Sequence, residues 1–458
     1  MVYRSPWIVQ LKRFRPIQRV VQNLHPDTVI IGGGIAGIFS AYYLLRDTTQ
    51  TVLVLEADKV AHGATGHNAG QVVSYFERPL HDIASAFGEM LAVEAYQYLF
   101  SSWNLVEDIY RTVPLRTKMT EFVGYKGFST LDQIHHQLHS LSLLHTHKIN
   151  TAHLFVSKEA EILSKISAKY HHLCQEVTNQ EISRLLDTHD SRFIAAFPER
   201  KACTNSSLLT EELVGFLLTT YPDRFSLAEY TPVRHISPTP SEVTVQTADQ
   251  TFHASAAILC TNGYKTFSIH TTPSNSSNQT PTIQGVIGYM SGYLDSHLRT
   301  AAAIQYFPEH MHVPTDPYYY ITRRLYEHGR HAHTLHCIGG PEIQLPPGQA
   351  YEPHARYIPD GHHHIRQFID SSYLYPPEKH NLEFQWHGLM AYTESMIRLV
   401  GSDPDTPLLL YNLGCNGIGI LPSIYGAKRI SEYLQGRVLK PSIFDPHLQR
   451  TLHKKEKQ

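Results

Sequence analysis

The sequence predicts an α/β fold in which a mainly parallel sheet is combined with a second, mainly antiparallel sheet. One observation is a β-branched run at 28–31 that leads into closely spaced glycines and then into a helical pattern. Another is a change of the hydrophobic period to two beyond Phe225, which is typical of strands joined by short turns. A third is a second apolar run, at 408–413, that also leads into glycines and a helix.

The glycines after the first strand follow the pattern G-x-G-x-x-G. Gly32 permits a tight turn, Gly34 permits close approach of a pyrophosphate, and Gly37 permits close packing of the helix on the strand. The helix then directs its free N–H groups and the positive end of its dipole at the phosphates. A second apolar strand at 51–55 ends in Glu56, whose carboxylate can accept both hydrogen bonds of a ribose diol. The pattern therefore predicts a Rossmann-like dinucleotide site made by Gly32, Gly34, Ile35, Ala36, Gly37, Glu56 and Ala57.

The stretch at 62–71 is too rich in small residues to be a core strand. Its backbone can pass close to a flat ligand, and Thr65, Asn68 and Gln71 offer polar contacts. Two later strands also end in glycine-containing turns, at 260–263 and at 414–419, and the second of these turns precedes a helix at about 421–435. One such helix start suits a nucleotide, whereas two suit a cofactor that has a phosphate end and a reducible ring.

The rest of the chain predicts covering helices and strands of period two. Helical patterns extend over 80–112, 130–145, 179–187 and 208–220, and strands over 226–236, 243–247, 251–259, 284–294, 318–324 and 333–338. A polar connector at 270–282 is the clearest candidate for a domain boundary. On the strand at 318–324, Tyr320 and Arg324 share one face and Arg323 lies on the other.

Composition limits the classes of function. The chain of 458 residues is long enough for two domains, and its formal net charge of −2 gives no bias toward nucleic acid. No apolar run reaches 18 residues, so no transmembrane segment is predicted. Five widely spaced cysteines without a C-x-x-C pair favour reduced thiols and a cytoplasmic location. The 31 histidines include no H-E-x-x-H pattern and no Cys/His pair, so no metal site is predicted.

Residues 1–25 form a basic arm with five Lys or Arg residues and no acidic residue. The arm lacks the long apolar segment of a secretory signal. Two interpretations are open. The arm folds onto its own domain, or its alternating basic and apolar residues contact a membrane surface.

Four of these motifs, in this order, resemble those of the D-amino-acid oxidase superfamily, which includes glycine oxidase, sarcosine oxidase and γ-glutamylputrescine oxidase. They are the first glycine pattern with its acid, Gly-Ala-Thr-Gly-His-Asn-Ala-Gly at 63–70, the Cys-Thr-Asn-Gly turn, and the Gly-x-Asn-Gly-x-Gly helix start. The resemblance implies FAD as cofactor, with Glu56 on the adenosine ribose, Val233 near the adenine and residues 417–420 beside the flavin pyrimidine ring. The further FAD contacts expected are Thr65, Gly66, His67, Asn68, Gly70, Gln71, Thr261, Asn262, Gly263, Gly388, Gly417, Ile418, Gly419 and Ile420.

The resemblance also implies a division into domains and a reaction. The FAD-binding domain would comprise 26–80, 195–265 and 380–440, and an α+β substrate domain would comprise 81–194 and 266–379, followed by a tail at 441–458. The implied reaction removes hydride from a carbon that bears an amine and delivers it to flavin N5. Candidate substrate contacts are Tyr320, Arg323, Arg324 and Trp386, and one of the two arginines would bind a carboxylate bidentately.

Departures from the family pattern leave several points open. Relatives of the γ-glutamylputrescine type have arginine in place of His67, whereas dimethylglycine and sarcosine dehydrogenases have a histidine bonded to the flavin in a similar run. A covalent bond and a noncovalent contact are therefore both open for His67. Sarcosine oxidases hold their flavin through a cysteine in the stretch that matches 386–393, where this chain has Met390.

Three functions are compatible with these observations. The first is an oxidase that oxidises an amine or amino acid and returns the electrons to oxygen. The second is a dehydrogenase that passes the electrons to a quinone or a carrier protein. The third is a non-catalytic protein that keeps the fold for binding.

Overall fold

The structure is a computed structural model that describes residues 2–11, 13, 15–19, 24–270, 281–308, 318–328, 331–346, 348–357, 361–378 and 381–456. Most of the predicted connector at 270–282 lies outside the described residues. The helices are α1 Pro6–Gln10, α2 Ile35–Asp47, α3 Leu80–Phe87, α4 Glu89–Thr112, α5 Leu131–Thr146, α6 Ile162–Lys165, α7 Asn179–Leu185, α8 Ser206–Thr220, α9 Gly361–Ser372, α10 Ile420–Leu434 and α11 Pro446–Glu456. The strands are β1 Thr28–Ile31, β2 Val52–Leu55, β3 Gln71–Val72, β4 Thr120–Phe128, β5 Leu154–Ser157, β6 Cys174–Val177, β7 Ala195–Cys203, β8 Phe225–Ala228, β9 His235–Pro238, β10 Val243–Gln246, β11 Thr251–Ala254, β12 Ala256–Leu259, β13 Ser268–Ile269, β14 Ile283–Asp295, β15 Ala302–Phe307, β16 Tyr319–His328, β17 His331–Gln344, β18 Glu383–Thr393, β19 Leu399–Ser402 and β20 Leu409–Leu413.

A mainly parallel sheet is built from segments that are far apart in the chain. Its strand order is β19-β20-β12-β1-β2-β8, and β19 runs antiparallel to β20. Strand β1 lies inside this sheet, and its β-branched residues are all buried, as expected for a strand covered on both faces. Helices α2, α4, α8 and α10 pack against one face, and the small sheet β11-β10-β9-β13 covers the other.

A second, larger sheet has the order β18-β14-β17-β16-β15-β4-β7-β5-β6, with β3 paired to β7. Its pairs are antiparallel except for β4 with β15 and β5 with β6. Helix α9 packs on one face, where the rings of Tyr319 and Phe368 stack with centroids 4.1 Å apart. The other face contacts the loop at 62–71 and borders an internal cavity. The combination of the two sheets confirms the predicted fold class.

Seven strands of the large sheet are not predicted by the sequence patterns, namely β3, β4, β5, β6, β7, β15 and β18. Charged residues interrupt the apolar alternation of β4 and β7, and three of these residues face inward. Lys126 on β4 and Glu199 on β7 line the cavity, and Lys201 on β7 is fully buried. Strands β7 and β18 fall in segments predicted for the FAD-binding domain but belong to the large sheet, while the domain boundaries themselves stay a prediction.

Two of the predicted strands are each divided in the structure. The segment at 226–236 forms β8 and β9, with Tyr230 between them in the left-handed region at a φ of +54°. The segment at 251–259 forms β11 and β12, which belong to different sheets. A continuous apolar pattern does not reveal a chain that passes from one sheet to another.

The described part of the basic arm lies on the body of the protein. Helix α1 places Trp7, which is fully buried, against the loop at 62–71. Arg13 and Arg15 form ion pairs with Glu229 at 2.8 and 2.7 Å. These contacts support the first interpretation of the arm, which folds onto its own domain. No helix within the described ranges is both long enough and apolar enough to cross a membrane.

Candidate functional site

The first glycine turn brings β1, α2 and β12 together. Gly32 has a φ of +108°, and a Cβ atom at this position would lie 2.7 Å from the carbonyl oxygen of Cys260. A Cβ atom at Gly37 would overlap the carbonyl oxygen of Gly32, so the helix can lie this close to the strand only with glycine there. Helix α2 begins at Ile35 without a side-chain cap on Gly34, and Ile35 N–H donates to Thr65 Oγ1 at 2.9 Å. This helix start is suited to an anionic group.

Glu56 lies directly beside this turn. Its Oε2 accepts the N–H of Gly33 at 2.6 Å, and its Oε1 accepts the N–H of Asp58 at 2.9 Å. Burial raises the pKa of Glu56, and the two backbone hydrogen bonds oppose that effect. Each carboxylate oxygen keeps a second acceptor position, so the group retains the capacity to bind a ribose diol. Val233, which is buried, lies two residues after Thr231, whose N–H donates to the carbonyl oxygen of Glu56.

Several residues of the loop at 62–71 make contacts within the protein that stabilise the conformation of the loop. Asn68 donates to the carbonyl oxygen of Thr65 and accepts the N–H of Gly70, and Gln71 donates to the carbonyl oxygen of Ile321. Cβ atoms at Gly66 and Gly70 would meet the side chains of Ile8 and Trp7. The amide side chains of Asn68 and Gln71 are therefore engaged within the protein, which differs from the prediction of direct ligand contacts.

His67 lies near the middle of this loop. Its Nδ1 is 2.9 Å from the carbonyl oxygen of Gly63, and burial lowers its pKa, so the neutral imidazole is favoured. Strand β18 approaches this residue closely, because a Cβ atom at Gly388 would lie 2.5 Å from the carbonyl oxygen of His67. Gly388 thus serves close packing of the two segments.

The two later glycine turns are tied to each other. Asn262, at a φ of +52°, donates to the carbonyl oxygen of Leu389 at 3.1 Å, and its Oδ1 accepts the N–H of Cys415 at 3.2 Å. Asn262 therefore joins the turn at 260–263, strand β18 and the second glycine start. Its neighbour Gly263 leaves room for the side chain of Leu389. Helix α10 begins at Ile420 without a side-chain cap on Gly419, so it presents a second uncapped helix start.

A cavity of about 770 Å³ adjoins the second glycine start. It lies between the segment at 74–82, helix α5 and the inner face of the large sheet. A Cβ atom at Gly417 would lie 3.1 Å from the hydroxyl of Tyr392 and 3.4 Å from Glu77 Oε2. Polar residues that line the cavity include Tyr75, Glu77, Arg78, Lys126, Glu199, Arg200, Gln305, Tyr318, Glu342 and Tyr392. Its volume is that of a small-molecule site.

The carboxyl groups of the cavity have unusual electrostatics. Burial raises the pKa of Glu342 to about 8, and the charge of Glu77 is the lesser cause. Burial also raises the pKa of Glu77, against the opposing charge of Lys126 and a hydrogen bond from Tyr318. On strand β7, burial lowers the pKa of Lys201 to about 8. Such groups are typical of functional sites.

Several buried polar atoms on the inner face of the large sheet have no hydrogen-bond partner among the described residues. They include Thr322 Oγ1 and Arg324 Nε on β16, Glu342 Oε1 on β17 and Trp386 Nε1 on β18. A native protein rarely leaves such atoms unpaired, so this face is suited to a polar ligand. Together with two uncapped helix starts, it fits a cofactor that has a phosphate end and a polar ring.

The predicted substrate contacts do not all lie together. Arg324 lies on the inner face, where its guanidinium is 4.5 Å from the ring centroid of Trp7 and Nη2 donates to Gln10 Oε1 at 2.6 Å. Arg323 lies on the opposite face, where it donates to Asp187 Oδ2 at 2.8 Å and to the carbonyl oxygen of Thr300. The structure therefore separates Arg323 from the cavity. Tyr320 and Trp386 share the inner face with Arg324.

The sequence patterns do not single out Trp7, Glu77 or Glu342. Glu342 lies beyond the strand predicted at 333–338, near the half-buried end of the longer strand β17, so the predicted strand does not include it. Trp7 comes from the five-residue helix α1, which is too short for a periodic pattern, and Glu77 comes from an irregular segment. Among the described residues, no group of three or more His, Cys, Asp or Glu side chains is arranged to hold a metal ion.

Known proteins resemble this chain in sequence and in fold. The family model described as DAO, FAD dependent oxidoreductase, matches residues 27–433. γ-Glutamylputrescine oxidoreductase from Escherichia coli strain K12 is 26% identical over 104 residues, which make up 23% of this chain and 24% of that protein. The matched part thus spans about a quarter of that relative's length.

Solved structures share the fold over nearly their whole length. Glycine oxidase from Geobacillus kaustophilus has a TM-score of 0.61 and 14% identity over 92% of this chain and 98% of that chain. L-α-Glycerophosphate oxidase from Mycoplasma pneumoniae, whose structure has FAD bound, has a TM-score of 0.64 and 12% identity over 92% of this chain and 98% of that chain.

Proposed function

Because this chain belongs to the DAO family of FAD-dependent oxidoreductases, we propose that it oxidises an amine or amino acid at the carbon that bears the nitrogen. The observation that carries the proposal is the cavity of about 770 Å³ at the second glycine start, which combines carboxyl groups with unpartnered polar atoms nearby. Family membership confirms the resemblance inferred from the sequence and gives FAD as the cofactor.

The residues present fit this cofactor. The start of α2 would face the pyrophosphate, Glu56 would bind the adenosine ribose, and residues 417–420 would lie beside the flavin pyrimidine ring. When bound, FAD supplies the acceptor for hydride and the route of the electrons onward. The chain's own contribution is to bind and orient the substrate, to exclude water, and to stabilise negative charge at the start of α10.

We propose oxygen as the electron acceptor. A membrane quinone is the less favoured acceptor, because the basic arm packs on the body through Trp7 and the ion pairs of Arg13 and Arg15. All five cysteines carry free thiols, which supports a reducing compartment, the cytoplasm.

A two-step experiment tests this proposal. The purified holoenzyme is mixed without oxygen with a panel of amines and amino acids, and flavin absorbance is followed. We expect at least one member of the panel to bleach the flavin, and we expect readmitted oxygen to restore the colour with release of peroxide. Absence of bleaching by every member contradicts amine oxidation. Bleaching that oxygen reverses only slowly, but that a quinone reverses fast, contradicts the oxidase.

A further inference from the structure

We infer that the cavity binds its substrate as a cation, through Glu77 and Glu342, and that the substrate is an amine without a carboxylate on the reacting carbon. This inference rests on the proposed function and names the substrate class of that same site. It is carried by the position of two carboxyl groups, by the aromatic walls around them and by the state of the basic residues in the cavity.

The two carboxyl groups reach the cavity from different elements. Glu77 comes from the segment after β3, and its Oε2 lies 3.4 Å from the Cβ position of Gly417 in the second glycine start. Glu342 comes from β17, and its Oε1 is buried without a hydrogen-bond partner in the described structure. Both side chains line the cavity. A carboxylate oxygen that is inaccessible and unpaired requires a donor or a cation from a ligand.

Tyrosine rings form the walls next to these carboxyl groups. Tyr75, Tyr318 and Tyr392 all line the cavity, and the hydroxyl of Tyr318 donates to Glu77. Tyrosine faces attract cations, and the attraction grows where water is excluded. Lys126 already shows this preference, because its Nζ lies 3.7 Å from the ring centroid of Tyr75. The combination of aromatic walls and carboxyl groups selects positive charge.

The arginine and lysine side chains that line the described cavity are already held by acceptors. Arg78 donates to the carbonyl oxygens of Ser395 and Asp82, at 3.1 and 3.2 Å. Lys126 pairs with Glu199 at 3.0 Å, and Arg200 pairs with Glu107 and Glu121 at 2.9 and 2.8 Å. A substrate carboxylate would have to compete with these partners. Among the described residues that line the cavity, each arginine and lysine is therefore already engaged and is not readily available to bind the carboxylate of an amino acid.

A bound cation also relieves an electrostatic cost. Burial is the main cause of the raised pKa values of Glu77 and Glu342, and the charge of Glu77 adds to the effect on Glu342. An ammonium group placed between them favours their ionised forms, because opposite charges attract strongly in a site with little water. The cavity therefore favours a ligand with positive charge.

The test compares matched ligands on the holoenzyme. One pair is 1,4-diaminobutane and ornithine, and another is phenethylamine and phenylalanine, because the members of each pair differ only by a carboxylate on the carbon that bears an amine. Flavin bleaching without oxygen gives the rates. Tetramethylammonium, which has no lone pair on nitrogen for oxidation, reports binding alone through the shift of the flavin absorption spectrum.

The variants are Glu77→Gln and Glu342→Gln, which keep the shape and remove the charge. The matched control is Glu181→Gln, whose partly exposed carboxylate pairs with Arg184, and neither residue lines the cavity. We expect the amine to bleach the flavin at least tenfold faster than its amino acid in one pair or both. We also expect each of the first two variants to weaken tetramethylammonium binding about tenfold or more, while the FAD content and the control stay as in the parent.

Two results overturn the inference. One is faster bleaching by the amino acid in both pairs, and the other is parental affinity for tetramethylammonium in both cavity variants. Failure of the proposed function looks different. If tetramethylammonium binding depends on Glu342 but no amine or amino acid bleaches the flavin, the result supports the cation site and contradicts amine oxidation. If amino acids bleach the flavin and tetramethylammonium does not bind, the result supports oxidation and contradicts the cation site.

Discussion

At the scale of single residues, two adjacent arginines on β16 have different environments. Strand alternation predicts from the sequence that Arg323 and Arg324 lie on opposite faces, and the structure agrees. The sequence does not tell which face borders the site, because that depends on what packs against each face. Asp187, which comes from a distant loop, settles the position of Arg323.

This difference predicts distinct effects of two substitutions. Arg323→Ala leaves Asp187 partly buried without its cation, so we expect the free energy of unfolding to fall by about 3 kcal/mol. Urea unfolding measures this effect. The matched control is Arg184→Ala, which breaks an exposed pair with Glu181 and should change the free energy of unfolding far less. Parental stability of Arg323→Ala, combined with a strong rise in KM, would restore Arg323 as a substrate contact.

At the scale of elements, predictions succeed where a local signal is complete. Helix α5 begins with a capping box of Thr130 and Gln133, and Thr178 caps α7, so both helices lie close to their predicted positions. The first glycine start succeeds because Gly32 and Gly37 are required by close packing. The contacts with FAD themselves stay predictions.

Predictions fail where an element responds to distant parts of the chain. Strands β4 and β7 place charged residues against an internal cavity. The rule that charged residues are exposed to water therefore does not identify these segments as strands of a sheet. Helix α1 is short, and its position depends on Asn68, Asn205 and Arg324, which are spread over the chain. No pattern within the arm contains that information.

Helix α1 yields a prediction about cofactor binding. Trp7 is fully buried, donates to the carbonyl oxygen of Asn68 at 2.6 Å and covers Gly70. We expect Trp7→Ala to lower the free energy of unfolding by about 3–5 kcal/mol and to weaken FAD binding, because the loop at 62–71 loses its cover. Urea unfolding and the FAD dissociation constant measure the two effects.

The control for this experiment is Trp7→Phe, which keeps an aromatic ring and loses the N–H group. It should retain most of the stability and most of the affinity for FAD. If Trp7→Ala loses stability while its affinity for FAD equals that of the parent, the arm supports the fold without supporting the cofactor site.

At the scale of the whole molecule, buried ionisable groups set the response to acid. His336 is fully buried, its Nδ1 lies 3.0 Å from the hydroxyl of Tyr373, and its ring stacks on Tyr293. Burial, followed by the charge of Arg323, lowers its pKa to about 3. In the unfolded chain the imidazole of His336 is protonated below about pH 6.5, whereas in the folded protein it is protonated only below about pH 3. The part of the free energy of unfolding that depends on the neutral form of His336 is therefore fully present above about pH 6.5 and decreases as the pH falls.

We expect His336→Gln to flatten this dependence. One such histidine contributes a loss of about 1.4 kcal/mol for each pH unit well below 6.5, so the parent should lose roughly 1.5 kcal/mol more than the variant between pH 6.5 and 5. Urea unfolding at several pH values measures the slope, and measurement at pH 8 shows whether the variant is folded. Equal slopes for the two proteins would mean that His336 is protonated in the folded state.

The parallel sheet joins segments of the chain that are synthesised at different times. Asn412 on β20 donates to Ser40 on α2 at 3.3 Å, and these residues are separated by 372 positions in the chain. A ribosome that adds 5–20 residues per second needs roughly 20–75 s to make that interval. The first glycine turn thus leaves the ribosome long before the strand that completes its sheet and the start of helix α10. Throughout that interval the nascent chain exposes an apolar helix and an unfinished sheet, and we expect FAD to stabilise the fold only after β20 and the start of α10 have been made.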